Sequence, residues 1–383
     1  MGRTWRKRNA IRRGRSLLTQ CASERIKELY SWIILKGFRP SRCMLHLAAT
    51  RSGRGLVCLK PLQTGDVIID LPKSLLITKQ MVQSFISDIP ADFSTEEILS
   101  IFIITESRRG VRSCWWPYIK SLPSHFDSPL TYQQVDALPK GIQRTFDMWR
   151  VSFFRSKQRL SSYFNLRTED VIISDAEFLW SWCVVNTRCI FVEGHGCALA
   201  PFLDMLNHHW AAHVTTTYKD GHFVITSGSA YRPGEEVFIN YGSHDNRKLL
   251  CDYGFVLEDN PNDCIPVELC HIETLHGSRK FARFEEKMCF LDKLRFFTQQ
   301  TGFTIDGPTW NLKVVLQVLQ DMTSLGPVQW KQHVIESSEI RHRLLESVLS
   351  KIMLEDYRTD LVDGMLNKLV YIEKSILCKC AFS

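Results

Sequence analysis

The stretch LDMLNHHWAAH, residues 203–213, sets three histidines, an aspartate and an asparagine within eleven positions. Imidazoles and a carboxylate can hold a metal ion; an amide and an imidazole can equally grip an organic ligand. His209 and His213 stand four apart, a spacing that puts two rings on one face of a helix. Zinc hydrolases built on that spacing carry a glutamate beside the first histidine as general base, and Trp210 stands there instead. Asp204 is the only carboxylate of the stretch, and a strand starting at His213 would separate that ring from His209. No metal site is expected.

Three further pieces carry residues of the same kind. RSGRGLV, residues 51–57, sets Gly53 and Gly55 around Arg54 just before a strand-like run; alone, such a pair is a turn. SWCVVNTR, residues 181–188, closes a helical run on Asn-Thr-Arg, alone a basic cap at a helix C-terminus. FINYGSHDNRKLLCDYGFV, residues 238–256, holds Tyr-Gly twice, with Tyr241 and Tyr253 twelve apart. Alone, each tyrosine is a core residue followed by a turn.

These residues need elements to hold them. Residues 55–71 read as two short strands, 56–60 and 67–71, around a turn. HVTTTYK and HFVITSG flank Asp220-Gly221, the dipeptide of a tight hairpin, and a Pro-Gly turn leads into a strand at 237–241. Between the two β-patches the period changes to that of helices: 94–108 with Ser94 or Thr95 as N-cap, 132–164, and 175–187 with Asp175 as cap. Beyond residue 258, Phe281, Phe284, Met288, Leu291 and Leu294 recur at three and four, as do Leu312, Val315, Leu316 and Leu319. Such stripes are core packing. The expectation is an α+β fold: a β-domain over 23–257 split by a helical insertion at about 90–180, then an all-α domain over 258–383.

Taken in order and spacing, Gly-x-Gly before the first β-patch, Asn-His ahead of the second and Tyr-Gly at its end resemble the SET-domain methyltransferases. The helical insertion and trailing helical domain are similar to the branch typified by the plant Rubisco large-subunit methyltransferase. The resemblance implies a protein N-methyltransferase that takes its methyl group from S-adenosylmethionine. Histone or non-histone lysine is the implied acceptor. It further implies that Gly53, Arg54 and Gly55 lie against the cofactor, where glycine permits close approach. Asn207 and His208 match the family's cofactor-binding pair at a knot-like chain crossing. Arg188 matches an arginine that can meet the cofactor's carboxylate two-pronged. Tyr241 matches the reactive tyrosine, and Tyr253, with Phe255, the wall of the lysine channel. Asp204 falls where the family approaches the substrate amine, and 258–383 becomes the platform for the target protein. Two positions depart from the family: His209 stands for its usual serine after Asn-His, and Thr187 for the serine before the arginine. A binding module that has kept the fold without turnover, and a histidine methyltransferase, are the alternatives.

Composition sets the outer bounds. Hydrophobic residues at 44% and charged residues at 23% suit a chain with a substantial core. No apolar run approaches the roughly 18 residues of a membrane span. Thirteen scattered cysteines read as reduced thiols in the nucleus or cytoplasm. The formal charge of +7 resides in Arg3, Arg6, Lys7, Arg8, Arg12, Arg13 and Arg15, since without these seven the chain has 41 basic and 41 acidic residues. Residues 1–22 are therefore expected to be a disordered basic tail: a solvated run with no role, a nuclear import signal or nucleic-acid anchor, with a mitochondrial presequence as the rival. The neutral remainder argues against a nucleic-acid-binding fold.

Overall fold

The computed structural model describes residues 24–42, 44–50, 53–132, 135–166, 172–320, 326, 330, 342–357 and 364–382. The basic tail lies outside the described residues. Two compact units are formed. One combines the chain up to Phe126 with Phe153–Ser243; the other combines Asp127–Ser152 with everything from His244 onward.

The first unit opens with helix α1 (Glu24–Leu35), then strands β1 (Leu45–Thr50), β2 (Gly53–Cys58), β3 (Val67–Pro72) and β4 (Ile77–Thr78). Helices α2 (Lys79–Phe85), α3 (Thr95–Arg109) and α4 (Trp116–Ser121) follow. Next come the long helix α5 (Lys140–Asn165), inside which the unit boundary falls, and α6 (Asp175–Arg188). Strands β5 (Cys189–Val192), β6 (Gly196–Leu199), β7 (Asn207–His208), β8 (Val214–Lys219), β9 (His222–Ser227) and β10 (Phe238–Ile239) complete it.

Local chemistry explains where the helices begin. Ser94 accepts a hydrogen bond from the Glu97 amide while Glu97 reaches back to the Ser94 amide, a reciprocal cap that starts α3. Ser174 and Glu177 do the same for α6, so the cap expected at Asp175 lies one residue earlier. A cap residue must leave helical dihedrals, and Ser174 does so with φ −71° and ψ 152°. α3 is buried on every side: Ile98, Leu99, Ile101, Phe102, Ile103 and Ile104 are each at most 2% exposed. It packs against α6, whose Phe178 and Trp182 meet Phe153 of α5 at ring-centroid distances of 4.9 and 6.0 Å.

The sheets pair differently from the sequence expectation in one place. β8 and β9 form the expected hairpin, with Asp220 and Gly221 both at positive φ. β2, however, pairs antiparallel with β1, and β3 pairs antiparallel with β9. The two strands expected around residues 61–66 therefore belong to different sheets. Their linker makes its backbone bonds to the 227–231 segment: Leu62 exchanges bonds with Tyr231, and Gly65 donates to Ser227. β7 and β10 form a parallel pair of two residues each, Asn207 opposite Phe238 and His208 opposite Ile239.

The second unit is helical, with α7 (Asn246–Tyr253), α8 (Leu269–Arg279), α9 (Phe284–Lys293), α10 (Trp310–Gln320), α11 (Arg343–Leu354) and α12 (Met365–Phe382). It also contains a small sheet absent from the expectation, β11 (Ile265–Pro266), β12 (Gly302–Thr304) and β13 (Gly307–Pro308). Strands of two or three residues carry too little pattern to be seen in sequence. Leu312, Val315, Leu316 and Leu319 lie in its core as expected, beside Leu349, Leu369 and Leu377. A buried ion pair, Arg247 to Glu373 at 2.7 and 2.9 Å, is joined by the Tyr357 hydroxyl, which donates to the same carboxylate.

Candidate active site

The parallel pair β7/β10 brings three separate parts of the first unit together. Asn207 and His208 form β7, Tyr241 follows β10 by two residues, and Gly53-Arg54-Gly55 opens β2. The His209 amide donates to the Ile239 carbonyl at 3.0 Å and continues the pairing. The Tyr241 amide donates to His208 Nδ1 at 3.0 Å, which makes that ring nitrogen an acceptor, and the two rings lie 5.2 Å apart. The Tyr241 hydroxyl donates to the Leu206 carbonyl at 2.7 Å. That bond fixes the phenol's rotation and aims its oxygen lone pairs elsewhere.

The Asn207 amide nitrogen donates twice, to the Arg54 carbonyl at 3.0 Å and to Glu236 Oε1 at 2.7 Å. The two glycines of β2 act differently. Gly53 has φ +100°, a conformation that L side chains rarely adopt, with open space around it. Gly55 has no such dihedral; a Cβ there would run into the Glu236 carboxylate and lie 2.7 Å from Asn207 Nδ2. The first glycine serves the turn and the second serves close approach.

Arg188, the last residue of α6, donates from Nη1 to both the carbonyl and the carboxylate of Asp204, each at 3.1 Å. Tyr118 of α4 donates to the same carboxylate oxygen at 2.9 Å. The Asp204 side chain is 0% exposed. Burial pushes its pKa up, against Arg188 and the Tyr118 bond, which hold the charged form. Burial also raises Tyr118, and the Asp204 charge adds to it, so the phenol keeps its proton. For Arg188, burial is the largest single influence and works against the cation, but Asp204, Tyr118 and Tyr241 together outweigh it and the pKa rises. Asp204, expected beside the substrate amine, is instead enclosed and anchors Arg188. Arg188 in turn has one prong committed within the protein rather than a free fork.

Two of the three histidines of 208–213 are used locally. His208 accepts from Tyr241, and His209 Nδ1 accepts from the Ala211 amide at 3.1 Å while its ring stacks on Trp210. Tyr253 and Phe255 belong to the second unit. There the Tyr253 ring, at the end of α7, stacks near His244 at 6.1 Å and meets Phe255 at 6.2 Å. Two residues of this arrangement carried no sequence signal. Glu236 sits in GEEVFINY as an ordinary strand-flanking acid, and Tyr118 in a six-residue helix without a motif.

These groups suit S-adenosylmethionine, which presents an amino-acid end, a sulfonium and an adenine. The cleared backbone at Gly55 adjoins the locked Asn207 amide, and the partly committed Arg188 is held by Asp204, three residues before Asn207. Among the described residues, the enclosed Arg188 Nε and Asp204 Oδ1 have no hydrogen-bond partner, so polar capacity remains at this spot.

Fold and site together define a SET-domain protein, and the chain belongs to that family: the SET domain model matches residues 53–242. It is similar to SET domain-containing protein 4 of Mus musculus, 33% identical over 350 residues that cover 83% of this chain and 78% of that protein. A more distant relative, 26% identical over 64% of this chain and 65% of its own length, is a ribosomal lysine N-methyltransferase of Schizosaccharomyces pombe. The fold matches the crystal structure of the SET domain of LSMT bound to lysine and AdoHcy, with a TM-score of 0.69 and 19% identity over 94% of this chain and 91% of that one.

Proposed function

We propose that this protein transfers the methyl group of S-adenosylmethionine to lysine side chains of a target protein. The observation that carries the reading is the β7/β10 crossing, where the Asn207 amide, His208 and the Tyr241 hydroxyl are each fixed by a hydrogen bond beside Gly53-Arg54-Gly55. It is supported by family membership and by the lysine and AdoHcy found with the SET domain of LSMT.

When bound, S-adenosylmethionine supplies an electrophilic methyl group on a positively charged sulfur. Its transfer to a neutral amine would be an in-line displacement, so the residues here would have to hold donor and acceptor in line. Nothing in the displacement needs a nucleophilic side chain. The protein's part is alignment at about 3–3.5 Å. Tyr241 suits that part, because its proton is committed to the Leu206 carbonyl and its oxygen is held as a fixed dipole. Gly53, Arg54, Gly55, Asn207, His208 and Arg188 are assigned to the cofactor. Tyr253 and Phe255 are assigned to the channel for the incoming lysine. An apolar aromatic wall lowers the lysine pKa and favours the neutral amine that attacks. The helical region 258–383 is the proposed platform for the target protein.

Incubation of cell extract with wild-type enzyme and isotopically labelled S-adenosylmethionine, followed by tandem mass spectrometry of acceptor peptides, tests this. Labelled lysine, lost with Tyr241→Phe, supports the proposal. Labelled histidine overturns the acceptor assignment, and cofactor binding without any labelled product marks a silent binding module. Nuclear and cytoplasmic residence is part of the same proposal, tested by fractionation of cells expressing the full chain.

A further inference from the structure

We infer that Glu236 is a positioning residue that decides which way the Asn207 amide faces, and thereby makes Asn207 a hydrogen-bond acceptor toward the cofactor. The inference rests on the cofactor reading above. An asparagine side chain has an oxygen and an NH2 group of almost the same shape, so its orientation is set only by what surrounds it. Here two acceptors converge on one end: the Arg54 carbonyl at 3.0 Å and Glu236 Oε1 at 2.7 Å. Only the NH2 end can satisfy both. Turning the amide over would press its oxygen against a carbonyl and a carboxylate.

Glu236 reaches this place because the chain clears it. Its backbone bridges to Val57 of β2, and the Val237 amide donates to the Leu56 carbonyl at 2.8 Å. That docking brings the side chain over Gly55, where any Cβ would strike the carboxylate. Residues 55, 207 and 236, on three separate segments, thus cooperate in one orientation. With its NH2 end occupied, Asn207 presents its carbonyl oxygen, which suits an ammonium or amino group and rejects a carboxylate. The Glu236 carboxylate also places negative charge beside a ligand that carries positive charge.

Calorimetric titration of S-adenosylmethionine into wild type, Glu236→Ala, Glu236→Gln, Asn207→Ala and the Glu236→Ala/Asn207→Ala double variant tests this, with Tm recorded for each. Glutamine keeps an acceptor oxygen for Asn207; alanine does not. The expected result is a tenfold or greater loss of affinity for Glu236→Ala, recovered to within about threefold by Glu236→Gln. The double variant should bind no more weakly than Asn207→Ala alone, since the two act as one unit. If Glu236→Ala does not fold, Glu236→Asp takes its place, because the shorter side chain withdraws the oxygen. Wild-type affinity in Glu236→Ala, or additive losses in the double variant, overturns the inference while leaving the cofactor site standing. Wild-type affinity in Asn207→Ala overturns the assignment of Asn207 itself, and the inference with it.

Discussion

Alanine at Gly55 and alanine at Gly53 are the same chemical change two residues apart, and the structure predicts different consequences. At Gly55 the backbone accepts a side chain, but the new Cβ occupies the position of the Glu236 carboxylate and lies 2.7 Å from Asn207 Nδ2. Both obstacles are ends of side chains, so the fold yields at little cost. What is lost is the charge-assisted bond between Asn207 and Glu236, 2.7 Å long. Bonds of that kind contribute about 1.5–3 kcal/mol. At roughly 1.4 kcal/mol per decade, the cofactor Kd should rise about 10- to 150-fold in Gly55→Ala. At Gly53 nothing lies within reach of a Cβ, but φ is +100°. The cost there is backbone strain, on the order of 1–3 kcal/mol of stability. Differential scanning calorimetry and isothermal titration on both variants separate the two effects. Gly55→Ala should lose affinity together with the part of Tm that the Asn207–Glu236 bond supplies; Gly53→Ala should lose Tm and retain more affinity than Gly55→Ala. A Gly55→Ala protein that binds S-adenosylmethionine as wild type does would refute the close-approach argument.

Three more predictions concern other parts of the molecule. Tyr241→Phe removes the hydroxyl that donates to Leu206; turnover on an identified acceptor should fall on the order of a hundredfold, with cofactor Kd within about threefold, and full turnover would remove Tyr241 from the mechanism. Tyr118→Phe deprives the enclosed Asp204 carboxylate of one donor and should cost about 1–3 kcal/mol, seen as a lowered Tm; an unchanged Tm would mean that Arg188 alone satisfies that charge. Asp263, in the second unit, is pushed up to about 7, chiefly by burial, despite the donors of Asn246. A carboxyl with a raised folded pKa binds its proton more tightly when folded, so its stabilisation is present below the ordinary carboxylate pKa and is lost as pH rises to about 7. Wild-type Tm should therefore decline between acidic and neutral pH, and Asp263→Asn should flatten that decline; an identical pH profile in the variant would refute it.

Much of the fold was legible because it is written in short-range chemistry. Ser94 with Glu97, and Asp220 with Gly221, act on neighbours a few residues away, and both features stand where sequence puts them. Strand pairing is a different matter. Val67–Pro72 has the composition of a strand, but composition does not say whether its edge meets β2 or β9, and only the completed ladder decides. β1, LHLAAT, carries small residues and a histidine in place of an apolar alternation, and passed unseen. The same holds for β11, β12 and β13, whose two or three residues offer no period to detect.

At the site the limit is sharper, because the decisive partners are backbone atoms and residues distant in sequence. A motif can point to Asn207 and Tyr241, but it is silent about the Arg54 carbonyl and the Leu206 carbonyl that orient them. It is equally silent about burial. The family resemblance puts Asp204 near the substrate amine, yet its carboxylate is enclosed and meets Tyr118 and Arg188. Both of those donors meet one oxygen, Oδ2, and the carboxylate as a whole is buried. Its contribution is to hold Arg188 and, through it, the end of α6 against the segment that leads into β7. The residues that touch ligand and the residues that aim them are therefore chemically alike in sequence, and only the direction of each hydrogen bond tells them apart.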